Sequence, residues 1–200
     1  MIPLERWDLE RLARDWSRAR PFPHLILDGL LEASDYAALK AAAAAEPLWL
    51  LSDEIYQHSG SADPPRAPLL RAFQDALGAA PLRDALRAIT GVVSRAVSLR
   101  VYRYDEGDYL LPHTDWRPGE ERVLAFAYYL GDCGADFSGG ELSLYDCTLV
   151  DGEISRAREA RLIKPRENRF ALFTASGRAL HRVREVSRGS RLSLAGWFLA

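Results

Sequence analysis

Residues 97–116 read VSLRVYRYDEGDYLLPHTDW and show the clearest strand–turn–strand pattern in the chain. Residues 97–104 alternate between apolar and polar side chains, which is the period of a half-buried strand. The segment Asp105-Glu106-Gly107-Asp108 is typical of a turn, and residues 109–115 return as a second strand. The pattern therefore predicts a β-hairpin that ends in a histidine and a carboxylate.

His113 and Asp115 are two residues apart near the end of this hairpin. Because side chains alternate between the faces of a strand, the spacing predicts that both point to the same side. A second histidine, to be sought among His24, His58 and His181, would complete the two-histidine, one-carboxylate set that suits non-haem Fe(II). A surface loop or a satisfied polar pair is the alternative interpretation of a lone His-x-Asp spacing.

The rest of the chain has a helical first half and a strand-rich second half. Helical periods occur at residues 4–18, 34–45, 69–77 and 82–89, with one short strand at 24–28. Further short strands, separated by turn residues, are predicted at 123–130, 141–145, 161–164, 169–174 and 191–199. Short strands repeated in this way predict a sandwich or barrel rather than βαβ units.

We expect one domain over residues 1–200. In it, residues 1–96 form a mostly helical support region, and residues 97–200 form the β-barrel core that carries the site. Residues 52–67 are polar and rich in serine, aspartate and proline, which predicts a loop. Such a loop is either a lid or an ordinary surface connection.

The composition excludes several classes of protein. With 48% hydrophobic and 27% charged residues, the 200-residue chain is typical of a globular domain. A net charge of −2 gives no basic footprint for nucleic acid, and no apolar run is long enough to span a bilayer. The N-terminus lacks the apolar region of a secretory signal, and Cys133 and Cys147 make no disulfide framework. We therefore expect a cytoplasmic protein with reduced thiols that binds neither nucleic acid nor membranes.

Several motifs follow one another in a fixed order along the second half of the chain. They are Tyr104-x-x-Gly107-Asp108, His113-x-Asp115, Tyr128-Tyr129-Leu130, Ser138-Gly139-Gly140-Glu141-Leu142, and His181 followed by Arg191-x-Ser193 and Trp197-Phe198. This order resembles the Fe(II)- and 2-oxoglutarate-dependent oxygenase superfamily, in particular its prolyl-4-hydroxylase-like branch. The resemblance covers residues 97–200 and extends more weakly to residues 21–45.

The resemblance implies a fold and a metal site. The implied fold is mainly β with supporting helices: a double-stranded β-helix, a jelly-roll barrel of cupin type, with N-terminal helices packed on one sheet. His113, Asp115 and His181 match the catalytic ligands of Fe(II). Because family members that halogenate lack the carboxylate, Asp115 implies oxygen insertion or a related oxidation.

The resemblance also implies a binding site for 2-oxoglutarate as cosubstrate. Arg191 matches the basic residue that binds its far carboxylate, and a guanidinium suits this role because it can form two parallel charge-assisted bonds. Tyr129 and Ser193 match residues that assist in holding that carboxylate. Tyr104 matches a tyrosine that lines the pocket near the cosubstrate.

The implied activity is hydroxylation of an unactivated C–H bond with O2, releasing succinate and CO2, with ascorbate as a candidate reductant. The expected substrate is a prolyl residue in a peptide or protein, or a proline-like compound. A free amino acid or natural product is the alternative substrate, and a non-catalytic jelly-roll sensor that binds metal and ligand is the alternative of another class. Beside the motifs, Arg103, Trp116 and Arg117 are either substrate contacts or surface residues, and Trp197 is assigned to barrel packing.

Overall fold

The computed structural model of the protein describes residues 2–131 and 136–200. Within these residues, a short 3₁₀ helix at Leu4–Arg6 precedes the α-helices α1 (Leu9–Arg18), α2 (Ala33–Ala44), α3 (Pro68–Gly78) and α4 (Ala80–Thr90). Asp8 caps α1 by accepting a hydrogen bond from the backbone N–H of Arg11. Gly91 ends α4 because its φ of 74° lies in the left-handed region.

The strands form one large antiparallel sheet and one small pair. They are β1 (His24–Asp28), β2 (Trp49–Asp53), β3 (Tyr56–Gly60), β4 (Ala96–Tyr104), β5 (Tyr109–His113), β6 (Arg122–Tyr129), β7 (Ser138–Gly139), β8 (Leu142–Val150), β9 (Glu153–Ile163), β10 (Arg169–Thr174), β11 (His181–Val183), β12 (Val186–Arg188) and β13 (Arg191–Leu199). The large sheet has the order β1-β10-β6-β13-β4-β3-β5-β11-β8-β9, with β2 beside β3, and β7 pairs with β12. The sheet curls into a half-barrel, so the predicted class, mainly β with supporting helices, is confirmed.

One face of the sheet carries the main apolar core. Leu99 and Val101 of β4 and Leu194 of β13 are fully buried and cluster with helix residues such as Leu70 and Leu86. Burying each leucine contributes about 1.5–3 kcal/mol, so this packing holds both strands in place. Because side chains alternate along a strand, the intervening positions of β4 and β13 point to the opposite face.

The prediction of a loop at residues 52–67 is wrong for residues 52–53 and 56–60, which lie in β2 and β3, whereas residues 61–67 contain no helix or strand. β3 occupies residues 56–60 and joins β4 to β5, with Ser59 opposite Arg103 and Tyr56 opposite Leu110. The hydrophobic pattern does not reveal this strand, because its two buried positions are His58 and Gly60. The support region at residues 1–96 therefore contributes β1, β2 and β3 to the sheet as well as its helices.

Two observations concern the predicted cellular setting. In residues 2–131 and 136–200, no helix is both long and apolar enough to cross a membrane. Cys147 is a free, half-buried thiol, whereas Cys133 lies outside the described residues.

Candidate metal and cosubstrate site

His113, Asp115 and His181 converge in the structure. His113 ends β5, His181 begins β11, and the two residues are partners in the register of these strands. The Nε2 atoms of His113 and His181 lie 3.7 Å and 3.4 Å from the two carboxylate oxygens of Asp115. One ligand atom from each residue lies within 4.8 Å of the others, as binding of a single metal ion requires.

Asp115 reaches this cluster from outside the strand. β5 ends at His113, so the alternation of side chains along a strand does not place Asp115. The chain instead bends at Asp115, and its side chain is buried. The structure thus brings the three residues together as predicted, but the predicted reason, a shared strand, is wrong.

Both histidines are held with Nε2 facing the carboxylate. Their Nδ1 atoms lie 2.9 Å from the backbone carbonyl oxygens of Leu111 and Ala179, respectively. A carbonyl can only accept, so each Nδ1 carries a proton and Nε2 is the nitrogen left to bind a metal. Burial and the facing imidazole of His181 lower the pKa of His113 to about 4, although Asp115 opposes this. His113 is therefore neutral at pH 7, which is the form that binds metal.

Arg191 is the first residue of β13 and is buried near the metal cluster. One of its N–H donors makes no hydrogen bond within the described residues. Its guanidinium lies 4.9 Å from the ring centres of both Tyr104 and Tyr129, and Nη1 donates a hydrogen bond to the Gly140 carbonyl at 3.0 Å. Among the described residues, neither Arg191 Nε nor the buried Ser193 Oγ has a hydrogen-bond partner. An unsatisfied buried donor costs about 1–3 kcal/mol, so a ligand carboxylate fits this position.

The Gly139-Gly140 pair gives Arg191 its carbonyl partner. A Cβ on Gly139 would lie 2.1 Å from the carbonyl oxygen of Glu185, so only glycine lets β7 approach β12 here. Gly140 has a φ of +65°, and its Cβ would meet Val186 at 3.1 Å and the Arg191 side chain at 3.4 Å. The glycine motif is therefore explained by close packing around Arg191.

One cavity of about 440 Å³ connects the metal cluster with Arg191. Of the predicted cosubstrate residues, Tyr104, Arg191 and Ser193 line it. Tyr129 is fully buried and lies behind the cavity wall, where it contacts the site through the guanidinium of Arg191. A larger cavity of about 570 Å³ lies between α1 and β1 and contains none of the predicted site residues.

The cavity also contains residues that the sequence pattern did not single out. Arg100 and Tyr102 line it, and their period-two spacing with Tyr104 was the signal that could have identified them. His58 lines it too, and its buried Nδ1 has no partner in the described part of the chain. Burial lowers the pKa of His58 to about 4. The sequence named His58 only as one of three candidates for the second histidine, and its place in the cavity could not be predicted because its strand was not.

The residues flanking the motifs divide between cavity and surface. Arg117 lines the cavity, whereas Arg103 forms a surface ion pair with Asp105. Trp197, assigned to barrel packing, also lines the cavity, and the guanidinium of Arg122 lies 3.9 Å from its ring centre.

Comparisons with known proteins agree with this geometry. The sequence model of the 2OG-Fe(II) oxygenase superfamily matches residues 99–199. The chain is 32% identical over 189 residues to the prolyl 3-hydroxylase sudestada1 of Drosophila melanogaster. The match covers 89% of this chain but only 34% of that protein, so the chain spans about a third of its relative's length.

Solved structures of low sequence identity share the fold. A prolyl-4-hydroxylase of Pseudomonas putida superposes with a TM-score of 0.74 at 22% identity, over 96% of this chain and 98% of that one. A Trichoplax adhaerens prolyl hydroxylase, solved with a peptide fragment of hypoxia inducible factor, gives a TM-score of 0.71 at 16% identity, over 97% and 93% of the two chains. These matches confirm the double-stranded β-helix. With a family match over half of its length and the cavity described above, the chain belongs to the 2OG-Fe(II) oxygenase superfamily.

Proposed function

We propose that this chain, as one domain over residues 1–200, hydroxylates a prolyl residue of a peptide or protein. The observation that carries the proposal is the single cavity shared by the His–Asp–His cluster and the buried Arg191. The choice of a prolyl substrate is supported by relatives whose names describe prolyl hydroxylases. A cytoplasmic location and ascorbate as the reductant belong to the same proposal.

His113, Asp115 and His181 are proposed to hold Fe(II). Two imidazole nitrogens and one carboxylate leave coordination positions open for a cosubstrate and O2. Bound Fe(II) and 2-oxoglutarate supply the oxidising chemistry, in which O2 is consumed and succinate and CO2 are released. The carbonyl of Ala179 and the ring of Phe173, whose centre lies 4.7 Å from that of the imidazole at an angle of 64° between the ring planes, fix the ring plane of His181 before any metal binds.

Arg191 is proposed to bind the far carboxylate of 2-oxoglutarate. Its Gly140 contact and the rings of Tyr104 and Tyr129 hold the guanidinium in one orientation while Nε remains available. Ser193 lies two residues further along the same face of β13, and its hydroxyl is a second donor to the same group. Such a rigid arrangement reduces the entropy lost when the cosubstrate binds.

Small side chains on the cavity wall leave room for the reacting groups. Ala127 of β6 and Ala195 of β13 are register partners, and both line the cavity. A larger residue at either position would fill part of this cavity. This part of the wall therefore suits a bulky group such as a prolyl ring, which must approach the metal with water excluded.

The proposal is tested by succinate formation. Protein loaded with Fe(II), 2-oxoglutarate and ascorbate should form succinate above the peptide-free background when a proline-containing peptide is a substrate. The product should gain one oxygen atom by mass spectrometry. Because the Drosophila and Pseudomonas relatives are named for different ring positions, NMR of the product identifies the oxidised carbon.

His24→Gln is a matched control for His113→Gln. His24 also places Nδ1 2.9 Å from the carbonyl of a residue two positions earlier, but it lies outside the 440 Å³ cavity. His113→Gln should abolish succinate formation, whereas His24→Gln should retain it. Turnover of a free amino acid or natural product but of no peptide would refute the prolyl assignment. Binding of metal and 2-oxoglutarate without any turnover would favour the sensor alternative.

A further inference from the structure

The cavity contains more positive charge than the cosubstrate balances. Among the described residues, its charged lining consists of four arginines, Arg100, Arg117, Arg122 and Arg191, and one carboxylate, Asp115. Fe(II), Asp115 and Arg191 together carry two positive charges, which the two carboxylates of 2-oxoglutarate neutralise. The remaining arginines therefore create a positive potential where the substrate has to bind.

Two of these arginines have no acidic partner. Arg122 is already engaged, because its Nε lies 3.2 Å from a carboxylate oxygen of Glu120 and its guanidinium lies over Trp197. Arg100 and Arg117 form no ion pair with any residue in the described ranges 2–131 and 136–200. Arg100 is half-buried, so solvent screens its charge less than that of the exposed Arg117.

Arg100 lies further along β4 than the residue that contacts Arg191. Arg100 and Tyr104 share the cavity face of β4, and the ring of Tyr104 contacts Arg191. Four residues of strand at about 3.3 Å each separate their backbones by roughly 13 Å. The guanidinium of Arg191 is held at its own end of this face by Gly140, Tyr104 and Tyr129. Arg100 is therefore the arginine of this face that remains for the substrate.

Arg117 lies on the metal side of the same space. It follows Asp115 by two residues and lines the cavity together with Arg100 and His113. Tyr102, between Arg100 and Tyr104 on β4, feels the charges of both Arg100 and Asp115, so Arg100 and the metal cluster lie within electrostatic range of one side chain. The two arginines thus line the cavity that also contains the metal cluster.

We propose that the substrate carries a carboxylate next to the oxidised residue, and that Arg100 and Arg117 bind it. A planar guanidinium binds a carboxylate in two parallel charge-assisted bonds, which makes this the anion that the pair suits best among peptide groups. The inference rests on the proposed function, because it assumes that a peptide substrate approaches His113 and Asp115. The carboxylate is either an acidic side chain adjacent to the prolyl residue or the free C-terminus of a chain ending in proline.

Matched peptides distinguish these sources. The acidic members are acetyl-Gly-Pro-Asp-amide, acetyl-Asp-Pro-Gly-amide and acetyl-Gly-Pro-OH, each paired with its neutral Asn or amide counterpart. Affinities are measured by calorimetry on protein loaded with Mn(II) and 2-oxoglutarate, so that no turnover occurs. In at least one pair the acid should bind about tenfold to one-hundredfold more tightly, as expected for gaining one charge-assisted hydrogen bond. The pair that shows this preference identifies the source.

Variants then show which arginines cause the preference for the acidic peptide. Arg100→Gln and Arg117→Gln should each bring the acid-to-neutral affinity ratio toward one. Arg87→Gln is the matched control, because Arg87 is an exposed arginine of α4 outside the cavity, and it should retain the ratio. Equal affinity within every pair, binding of none of the peptides, or a ratio unaffected by both cavity variants overturns the inference.

A different result would refute the proposed function. Preferential binding of an acidic peptide that yields no succinate with Fe(II) would refute prolyl hydroxylation but leave the carboxylate site in place. Equal turnover of acidic and neutral peptides would refute the carboxylate site and leave the hydroxylase activity established.

Discussion

Replacing Arg191 by alanine should weaken 2-oxoglutarate binding far more than any other single change at the cosubstrate end of the cavity. Arg191 is only 4% exposed, and its Nε has no partner in the described part of the chain. A carboxylate bound there forms a buried charge pair, and removing one partner of such a pair costs about 3–5 kcal/mol. At about 1.4 kcal/mol per factor of ten, the dissociation constant should rise by roughly two to three and a half orders of magnitude.

Two other variants should raise the dissociation constant for 2-oxoglutarate by smaller factors. Tyr129→Phe should raise the dissociation constant by about tenfold or less, because it removes one neutral hydroxyl that lies behind Arg191 rather than in the cavity wall. Arg191→Lys should fall between the two, since it keeps the charge but loses the planar two-pronged geometry. The order of the three variants tests the reasoning more stringently than any single value.

The assay is calorimetric titration of 2-oxoglutarate into Mn(II)-loaded protein. Arg169→Ala serves as the matched control, because Arg169 forms a two-pronged ion pair with Asp28 elsewhere in the same sheet. This control should lower the free energy of unfolding without changing the affinity for 2-oxoglutarate. If Arg191→Ala binds 2-oxoglutarate within about threefold of the parent, the cosubstrate is anchored elsewhere and the assignment of β13 is wrong.

Three further predictions concern the histidines and the carboxylate. His113→Ala or His181→Ala should weaken Fe(II) binding by at least about tenfold while His24→Ala does not, and unchanged metal affinity would contradict the assigned site. Because the family resemblance matches Asp115 to the carboxylate that halogenating members lack, product formed under ¹⁸O-labelled O2 in excess chloride should contain ¹⁸O, and a chlorinated product would refute this. Burial lowers the pKa of His58 to about 4, so as pH falls below about 6.5 the unfolded chain binds the proton first and the folded protein loses stability until about pH 4. Between about pH 7 and about pH 4.5, the parent should lose about 2–3 kcal/mol more unfolding free energy in urea than His58→Asn, and an equal loss would contradict the burial argument.

The apolar pattern predicted the strands that pack against the helices. β10 and β13 have the predicted bounds, and β4 begins one residue before the predicted strand. Each packs apolar side chains on the helix side, so burial and sequence pattern coincide there.

The same criterion missed segments whose strand character comes from pairing alone. β3 buries His58 and Gly60, so backbone hydrogen bonding specifies it, both in a hairpin with the neighbouring β2 and with β4 and β5, which are distant in sequence. β8 and β9 extend far beyond the predicted segments as a largely exposed two-stranded ribbon, in which each strand supplies the other's partners. Tertiary pairing of this kind leaves no local apolar signal.

Residues of the candidate site could be predicted from the sequence only where the chemistry restricts the residue type. Few side chains bind Fe(II), and His113, Asp115 and His181 were identified by residue type and order. Arg100 and His58 line the same cavity, but arginine and histidine occur in many settings. Their position in the cavity can be recognised only when the register of β4 and β3 is known.

The core packing on the helix side determines the geometry of the cavity. Arg191 is paired with Tyr104 and Ser193 with Tyr102, while the residue between them in each strand points toward the opposite face. A slip of one residue would turn Arg191 and Ser193 toward the helices and bring Leu192 and Leu194 into the cavity. That slip would bury a guanidinium among apolar helix residues and remove the fully buried Leu194 from the core, so both faces oppose it. The apolar core and the cosubstrate site therefore specify the same register, and substitutions that loosen the helix-facing side of β13 should weaken 2-oxoglutarate binding without contacting it.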